Sequence, residues 1–236
     1  MPFNERVKAP RWRLLWVGLA ATQQFRAIAV MVLLSGSLFA QGPPSSAPAK
    51  TSDAAKGPWT YNLALDGYII PNETSYANPT FTADRQRLHL EARYNYEDLR
   101  TGSLWVGYNF SAGQKLVLNI TPMLGGVFGR TTGIAPGCEA SLTYEKFQLS
   151  ISNEYVFDTR DRSGNFYYSW PELTYSPADW FRVGAVVQHT KAFQTKLDVQ
   201  RGFLIGVSHK QMEFTTYVFD VGWTDPSVVL ELGVRF

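Results

Sequence analysis

The sequence is poor in the residues on which many catalytic and metal sites depend. It contains one cysteine, Cys138, which excludes an intramolecular disulfide and any metal site built from several cysteines. It contains three histidines and neither an HExxH nor a GxSxG motif, so the usual signatures of zinc and serine hydrolases are missing. These absences predict a protein without a metal, a cofactor or a catalytic residue.

Long apolar runs and a strong excess of one charge are also absent. No segment reaches the roughly 18 consecutive apolar residues of a transmembrane helix. The 22 Lys and Arg and 20 Asp and Glu give a net charge of +2, but five of the basic residues and one acidic residue precede residue 41. The remainder has 17 basic and 19 acidic residues, so no nucleic-acid partner is expected.

The first 58 residues differ in composition from the rest of the chain. Basic residues between Arg6 and Arg26 precede the apolar run AIAVMVLLSGSLFA at 27–40. This pattern predicts a secretory signal peptide over 1–40, cleaved after Ala40, with an anchoring helix as the alternative. Residues 41–58 are rich in Pro, Ala and Ser and predict a flexible linker, which leaves 59–236 as the folded domain.

From Trp59 onward, apolar and polar residues alternate with the period of a β-strand. Leu88 and Leu90, for example, alternate with His89 and Glu91. The same alternation recurs at 115–121, 147–157, 181–188, 203–208 and 217–223. Several glycines fall on the polar face, where small residues suit a confined, curved interior. The pattern predicts an all-β chain, and a closed barrel in preference to a soluble sandwich.

The connections between these segments alternate between short and long. Segments 111–114 and 144–146 are short, whereas 97–102 and 158–165 are longer. Barrels that span a membrane commonly have short turns at one end and longer loops at the other. Two details are expected in addition. LGGVFG at 124–129 should form a bend or bulge within a long connection at 125–133. TDP at 224–226 should be a short connection at the end of the barrel where the other connections are long.

The number of strands follows from parity. The clearly alternating segments are odd in number, whereas a single-chain barrel with both ends on one side needs an even number. A further strand is therefore required before residue 85, and TSYANPTFTAD at 74–84 is the candidate, although Pro79 weakens it. The prediction is a transmembrane antiparallel up-and-down β-barrel of about 12 strands, with about 10 as the alternative.

The chain ends in PSVVLELGVRF, where apolar residues alternate up to a terminal aromatic residue; they are Val228, Leu230, Leu232, Val234 and Phe236. This ending resembles the last strand of Gram-negative bacterial outer-membrane β-barrel proteins, and the whole chain resembles their small porin-like class. The resemblance implies that the protein lies in the outer membrane, surrounded by lipid. It also implies that the barrel-assembly machinery recognises the last strand.

The polar face of each strand supplies the candidate lumen residues. The basic and histidine candidates are Arg87, His89, Arg93, Lys115, Arg182 and Arg235. The acidic candidates are Glu91, Glu139, Glu154, Glu172, Asp198, Asp220 and Glu231. Placing Asp220 in the lumen assigns Tyr217 and Phe219 to the lipid face of the same strand.

These candidates predict how solutes would be selected. Basic residues of the early strands (Arg87, Arg93, Lys115) are expected to face acidic residues of the middle strands (Glu139, Glu154, Glu172) across the lumen. Such a transverse field would filter small polar or charged solutes that pass through a channel.

Two other functions stay open. In one, the charges pair and fill a plugged barrel that has a structural or surface-interaction role. In the other, the barrel is an enzyme acting on lipid, which is less favoured because no serine accompanies His89 in its strand. The sequence does not indicate an oligomeric state.

Overall fold

The computed structural model describes residues 57–70, 75–192, 198–222 and 226–236. The expected signal peptide lies outside these residues, and so does the expected linker except for residues 57 and 58. Among the residues described, no helix is both long enough and apolar enough to cross a membrane.

The described chain forms thirteen strand segments in one antiparallel sheet. They are β1 (Thr60–Ile69), β2 (Tyr76–Arg85), β3 (Leu88–Tyr94), β4 (Thr101–Tyr108), β5 (Phe110–Ala112), β6 (Leu116–Gly129), β7 (Gly133–Tyr144), β8 (Phe147–Asp158), β9 (Phe166–Ala178), β10 (Phe181–Ala192), β11 (Asp198–His209), β12 (Met212–Phe219) and β13 (Ser227–Arg235). A short 3-10 helix, Arg162–Gly164, lies between β8 and β9.

The sheet closes into a barrel of twelve strands. Segments β4 and β5 are two parts of one strand interrupted at Asn109, because both pair with β6. β1 pairs with β13, and β4 pairs with β3 on its other side, so the sheet has no free edge. The predicted twelve-stranded antiparallel barrel is confirmed.

Strand β2 is the additional strand that an even number of strands required. Its proline, Pro79, is paired with a neighbouring strand on one side only. Pro79 lies opposite Leu65 of β1. The pairing of β2 with β3 begins only at Thr80, so Pro79 lies beyond that ladder. The missing N–H of proline therefore costs little at this position.

Connection lengths differ between the two ends of the barrel. The start of β1 and the end of β13 lie at the same end of the barrel, where Tyr61 and Phe236 exchange backbone hydrogen bonds of 2.8 and 2.9 Å. The connections at that end are 86–87, 113–115, 145–146, 179–180 and 210–211. The intervals at the opposite end are 70–75, 95–100, 130–132, 159–165, 193–197 and 220–226. The alternation is the one typical of membrane barrels.

Two local predictions were wrong. Residues 124–129 form neither a bend nor a bulge, because β6 pairs with β7 in unbroken register from Leu116 to Val127. The long connection expected at 125–133 is consequently only 130–132. The second wrong prediction is the short TDP connection at 224–226. Strand β12 ends at Phe219 and β13 begins at Ser227, so the interval between them spans 220–226.

The two faces of the barrel differ in composition. Large apolar side chains such as Leu104, Leu124 and Phe203 are exposed on the outside. Inside are two apolar clusters: one of Trp105, Met123, Val127, Ala135 and Val156, and one of Val186, Leu204, Tyr217, Phe219 and Val229.

The predicted orientation of β12 was wrong. Tyr217 and Phe219 are buried in the second interior cluster rather than facing outward. Asp220 follows the end of β12 with φ 53° and accepts a hydrogen bond from the Arg201 backbone N–H, so it belongs to a turn. Periodicity alone misassigned this strand because Tyr217, Val218 and Phe219 are all apolar.

Candidate functional site

The most densely charged part of the interior is centred on Arg93 in β3; we call it the Arg93 cluster. Arg93 donates from Nε and Nη2 to Glu91 at 2.8 and 2.9 Å, and from Nη1 to Glu154 Oε2 at 2.7 Å. Glu97 and Glu139 lie farther away, at 3.9 and 3.8 Å. Strands β4, β6 and β7 separate β3 from β8 in the barrel, so the bond to Glu154 crosses the interior.

Aromatic rings enclose the guanidinium of Arg93. Its central carbon lies 4.3 Å from the centre of the Tyr96 ring and 4.5 Å from that of Trp105. Trp105 fits because Gly125 lies beneath it: a Cβ added to Gly125 would be 2.5 Å from the indole ring. The side chain of Arg93 is only 2% exposed, so cation–π contacts and carboxylates replace its water.

Glu97 enters this cluster from the connection between β3 and β4. Its Oε1 accepts hydrogen bonds from Ser103 Oγ and Trp105 Nε1. Burial raises the pKa of the Glu97 carboxyl, although the charge of Arg93 acts in the opposite direction. Within the described chain, two buried carboxylate oxygens have no hydrogen-bond partner, Glu97 Oε2 and Glu154 Oε1. Both carboxylates lie against the same nitrogen, Nη1 of Arg93.

His89 belongs to the same network. Its Nδ1 lies 2.8 Å from Asp84 Oδ1, and its Nε2 lies 3.5 Å from Glu91 Oε2. Asn109, at the interruption between β4 and β5, donates to Asp84 at 2.8 Å. Because both ring nitrogens of His89 face carboxylates, the residue is arranged to hold charge rather than to activate a nucleophile.

A second charged group, the Arg182 cluster, lies on the other side of the barrel. Arg182 Nε lies 2.7 Å from Glu213 Oε1, Nη1 lies 3.7 Å from Glu172 Oε2, and Nη2 donates to Thr215 Oγ1 at 2.8 Å. The pair with Glu213 does not have hydrogen-bond geometry, since Nε finds no acceptor among the described residues. The Arg182 side chain is 24% exposed.

Two further carboxylates complete the Arg182 cluster. Asp66 of β1 and Glu231 of β13 are directly opposite each other in adjacent strands, where like charges repel. Tyr217 donates to Glu231 Oε2 at 2.7 Å, and Trp170 donates to Glu172 Oε1 at 2.6 Å. Uncharged side chains therefore supply hydrogen bonds to two of these carboxylates.

The remaining candidates lie at the ends of the barrel. Arg87 is exposed in the turn after β2 and donates to Tyr108 at 3.0 Å. Lys115 is exposed just before β6, and Arg235 is exposed at the end of β13. Asp198 begins β11, and its side chain lies outside the described part. The opposed basic and acidic walls are not formed, because Arg87 and Lys115 lie at the rim and Arg93 contacts Glu154 directly.

The sequence did not indicate four participants: Asp66, Asp84, Glu97 and Glu213. Asp66, Asp84 and Glu213 each lie on the inward face of a strand, so a more consistent use of alternation would have found them. Alternation could not have found Glu97, because this residue lies in the connection between β3 and β4 and not in a strand. Among the residues that the structure describes, no three His, Cys, Asp or Glu side chains are grouped in a way that could hold a metal ion.

The chain matches no family model and no curated protein. Among solved structures, a KdgM porin aligns with a TM-score of 0.54 and 10% identity, covering 74% of this chain and 99% of the porin. A KdgM porin in complex with disordered oligogalacturonate aligns with a TM-score of 0.52 and 8% identity, covering 74% and 98%. The likeness concerns the fold alone, and it agrees with the closed twelve-stranded antiparallel barrel that this chain forms.

Proposed function

We propose that this protein is an outer-membrane channel for small polar or charged solutes. The exposed apolar band suits contact with lipid, and the barrel has the fold of porins. The observation that carries the proposal is the exposure of an acidic side chain inside the barrel: Glu139, in the middle of β7, is 42% exposed. An inward-facing carboxylate with that much accessible surface lines space that water can fill.

The test is the current across a planar bilayer into which the detergent-purified full-length protein has been inserted. A water-filled pore gives discrete current steps that persist as the voltage is varied. A barrel that shows heat-dependent mobility on gels, and is therefore folded, but gives no steps would contradict the proposal.

A closed barrel with a structural or surface-interaction role is the second candidate. It is favoured by the bridge from Arg93 to Glu154 and by the aromatic contacts of Trp170 with Tyr217 and Phe219, at 5.3 and 5.2 Å, because both reduce the open cross-section. An enzyme is not proposed, since the residues around His89 are carboxylates and an amide.

The proposal includes recognition of the last strand by the assembly machinery. Phe236 exchanges two backbone hydrogen bonds with Tyr61, and their rings stack at 5.8 Å, where β13 meets β1. Deleting Phe236 is expected to reduce the folded, heat-modifiable form in the membrane while the exported amount stays unchanged. Equal amounts of folded protein with and without Phe236 would contradict this role. Phe147→Ala, at another exposed strand end, is the control for loss of an aromatic ring.

A further inference from the structure

We infer that the interior of this barrel binds cations and makes the channel selective for cationic solutes over anionic ones. The inference rests on the proposed function and names the class of solute. The charge balance of the two clusters supports it. At the Arg93 cluster, Arg93 and His89 are the cationic groups, and five carboxylates surround them: Asp84, Glu91, Glu97, Glu139 and Glu154. Two cationic side chains cannot neutralise five carboxylates, so the remaining negative charge needs either protons or further cations.

The Arg182 cluster repeats this imbalance on the other side of the interior. Glu172 and Glu213 contact Arg182, and the adjacent pair Asp66 and Glu231 adds two more carboxylates. Tyr217 and Trp170 donate hydrogen bonds to this group but bring no positive charge. Both sides of the interior are therefore acidic, and a charged cleft with low-dielectric walls concentrates ions of the opposite sign.

A second observation points to a ligand at the Arg93 cluster. Glu97 Oε2 and Glu154 Oε1 are buried and have no partner among the described residues, although the side chains are only 0% and 3% exposed. An unpartnered buried carboxylate oxygen is costly unless a cation or a proton reaches it. Two such oxygens, on carboxylates that both lie near Nη1 of Arg93, form an acceptor site that a proton or a monovalent cation can fill.

The arrangement indicates loosely held ions rather than chelated ones. Among the described residues, no three His, Cys, Asp or Glu side chains are grouped in a way that could chelate a metal ion. Glu139 faces the accessible space, so ions there exchange with solvent. Weak binding at several positions is what conduction requires.

The charge pattern also separates this barrel from one of its structural neighbours. That neighbour is a porin whose structure contains oligogalacturonate, a chain of carboxylate-bearing sugars. Excess carboxylates inside this barrel would repel such a polyanion. A shared fold is therefore compatible with opposite selectivity.

The first test measures the reversal potential across a bilayer with a tenfold gradient of potassium chloride at pH 7. The expected cation-to-anion permeability ratio is about 10, which needs an interior potential of only about one kT per unit charge. The double variant Glu139→Gln, Glu213→Gln removes one accessible carboxylate from each cluster and should lower the ratio by about twofold. Glu145→Gln, in an exposed turn, should leave it unchanged. A wild-type ratio of one or less would overturn the inference.

A second measurement decides the inference even if the barrel does not conduct. In a variant that keeps only Trp105 and Trp170, fluorescence is quenched with caesium or iodide, each normalised to quenching of free N-acetyltryptophanamide. Normalised quenching by caesium should exceed that by iodide at least threefold, and the double variant should reduce the difference. Equal quenching, stronger quenching by iodide, or no quenching by either ion would overturn the inference. Absence of conductance alone would instead contradict the proposed function.

Discussion

The two arginine clusters of the interior have similar charge imbalances, but the barrel holds them differently. Arg93 is buried between two aromatic rings and reaches across the interior to β8. Arg182 is partly exposed and contacts β9 and β12, on either side of its own hairpin. Arg93 therefore contributes to the integrity of the barrel, whereas Arg182 mainly adjusts the charge of the accessible wall.

The largest expected effect is the loss of Arg93. Arg93→Met keeps a long side chain between the rings but leaves buried carboxylates without a cation, which should cost about 3–5 kcal/mol in the free energy of unfolding. Arg182→Met should cost roughly half of that or less, because water reaches its partner Glu213, 35% exposed. The measurement is urea unfolding of the barrel in lipid vesicles, followed by tryptophan fluorescence. Equal costs would remove the distinction between the two clusters.

Substitution of the glycines beside the two clusters should lower the free energy of unfolding in the same order, more at the Arg93 cluster than at the Arg182 cluster. Gly125→Ala forces a Cβ to within 2.5 Å of the rigid Trp105 ring, and overpacking of this kind costs about 1–3 kcal/mol. Gly206→Ala would approach Arg182 Nε at 2.6 Å, but that flexible side chain can move, so a cost below about 1 kcal/mol is expected.

Gly126→Ala is the matched control for these glycine variants. A Cβ at Gly126, next to Gly125 on the outward face, has no heavy atom within 4 Å. Its unfolding free energy should change by less than about 0.5 kcal/mol. A loss at Gly126 as large as the loss at Gly125 would show that strand propensity, and not the Trp105 contact, sets the cost.

The effect of Arg182 on selectivity should be moderate. Arg182→Gln removes the single positive charge of its cluster from a partly exposed position, so the cation-to-anion permeability ratio should rise by about twofold at about 0.1 M salt. The reversal potential measures it, and the difference from wild type should shrink at about 1 M salt because the Debye length falls to about 3 Å. An unchanged ratio at low salt would place Arg182 away from the ion path.

The smallest effect concerns the pH dependence of the connection at 95–100. Because burial raises the pKa of Glu97, its protonated form fits the folded barrel better, and the associated stability is lost as pH rises through that raised pKa. Amide hydrogen exchange at 95–100, corrected for intrinsic rates, should therefore become faster toward alkaline pH. In Glu97→Gln this extra dependence should disappear, whereas Asp98→Asn should retain it. A wild-type pH profile in the Glu97→Gln variant would contradict the account.

The sequence was sufficient for the architecture because strand alternation and parity are local or countable properties. Parity located β2 despite Pro79, and the likeness to solved barrels agrees with the predicted closed barrel fold. The orientation of β12 was not predictable in the same way, since Tyr217, Val218 and Phe219 could each face lipid or a core.

The details of the charged interior depend on geometry that one strand does not contain. The pairing of Arg93 with Glu154 requires the curvature and stagger that bring β3 toward β8. Gly125 resembles a bulge residue in sequence, yet its role is to make room for a ring from another strand. Alternation identifies inward residues, but their partners follow only from the closed barrel.

The most direct test of the acidic channel is the entry of three sugars of similar size into vesicles that contain the protein. Galactosamine is cationic at pH 7, galactose is neutral and galacturonate is anionic. Stopped-flow light scattering should show the fastest vesicle swelling with galactosamine, slower swelling with galactose and the slowest with galacturonate. Faster entry of galacturonate than of galactosamine would contradict the acidic interior as the selecting element, and rates no higher than in protein-free vesicles would contradict the channel itself.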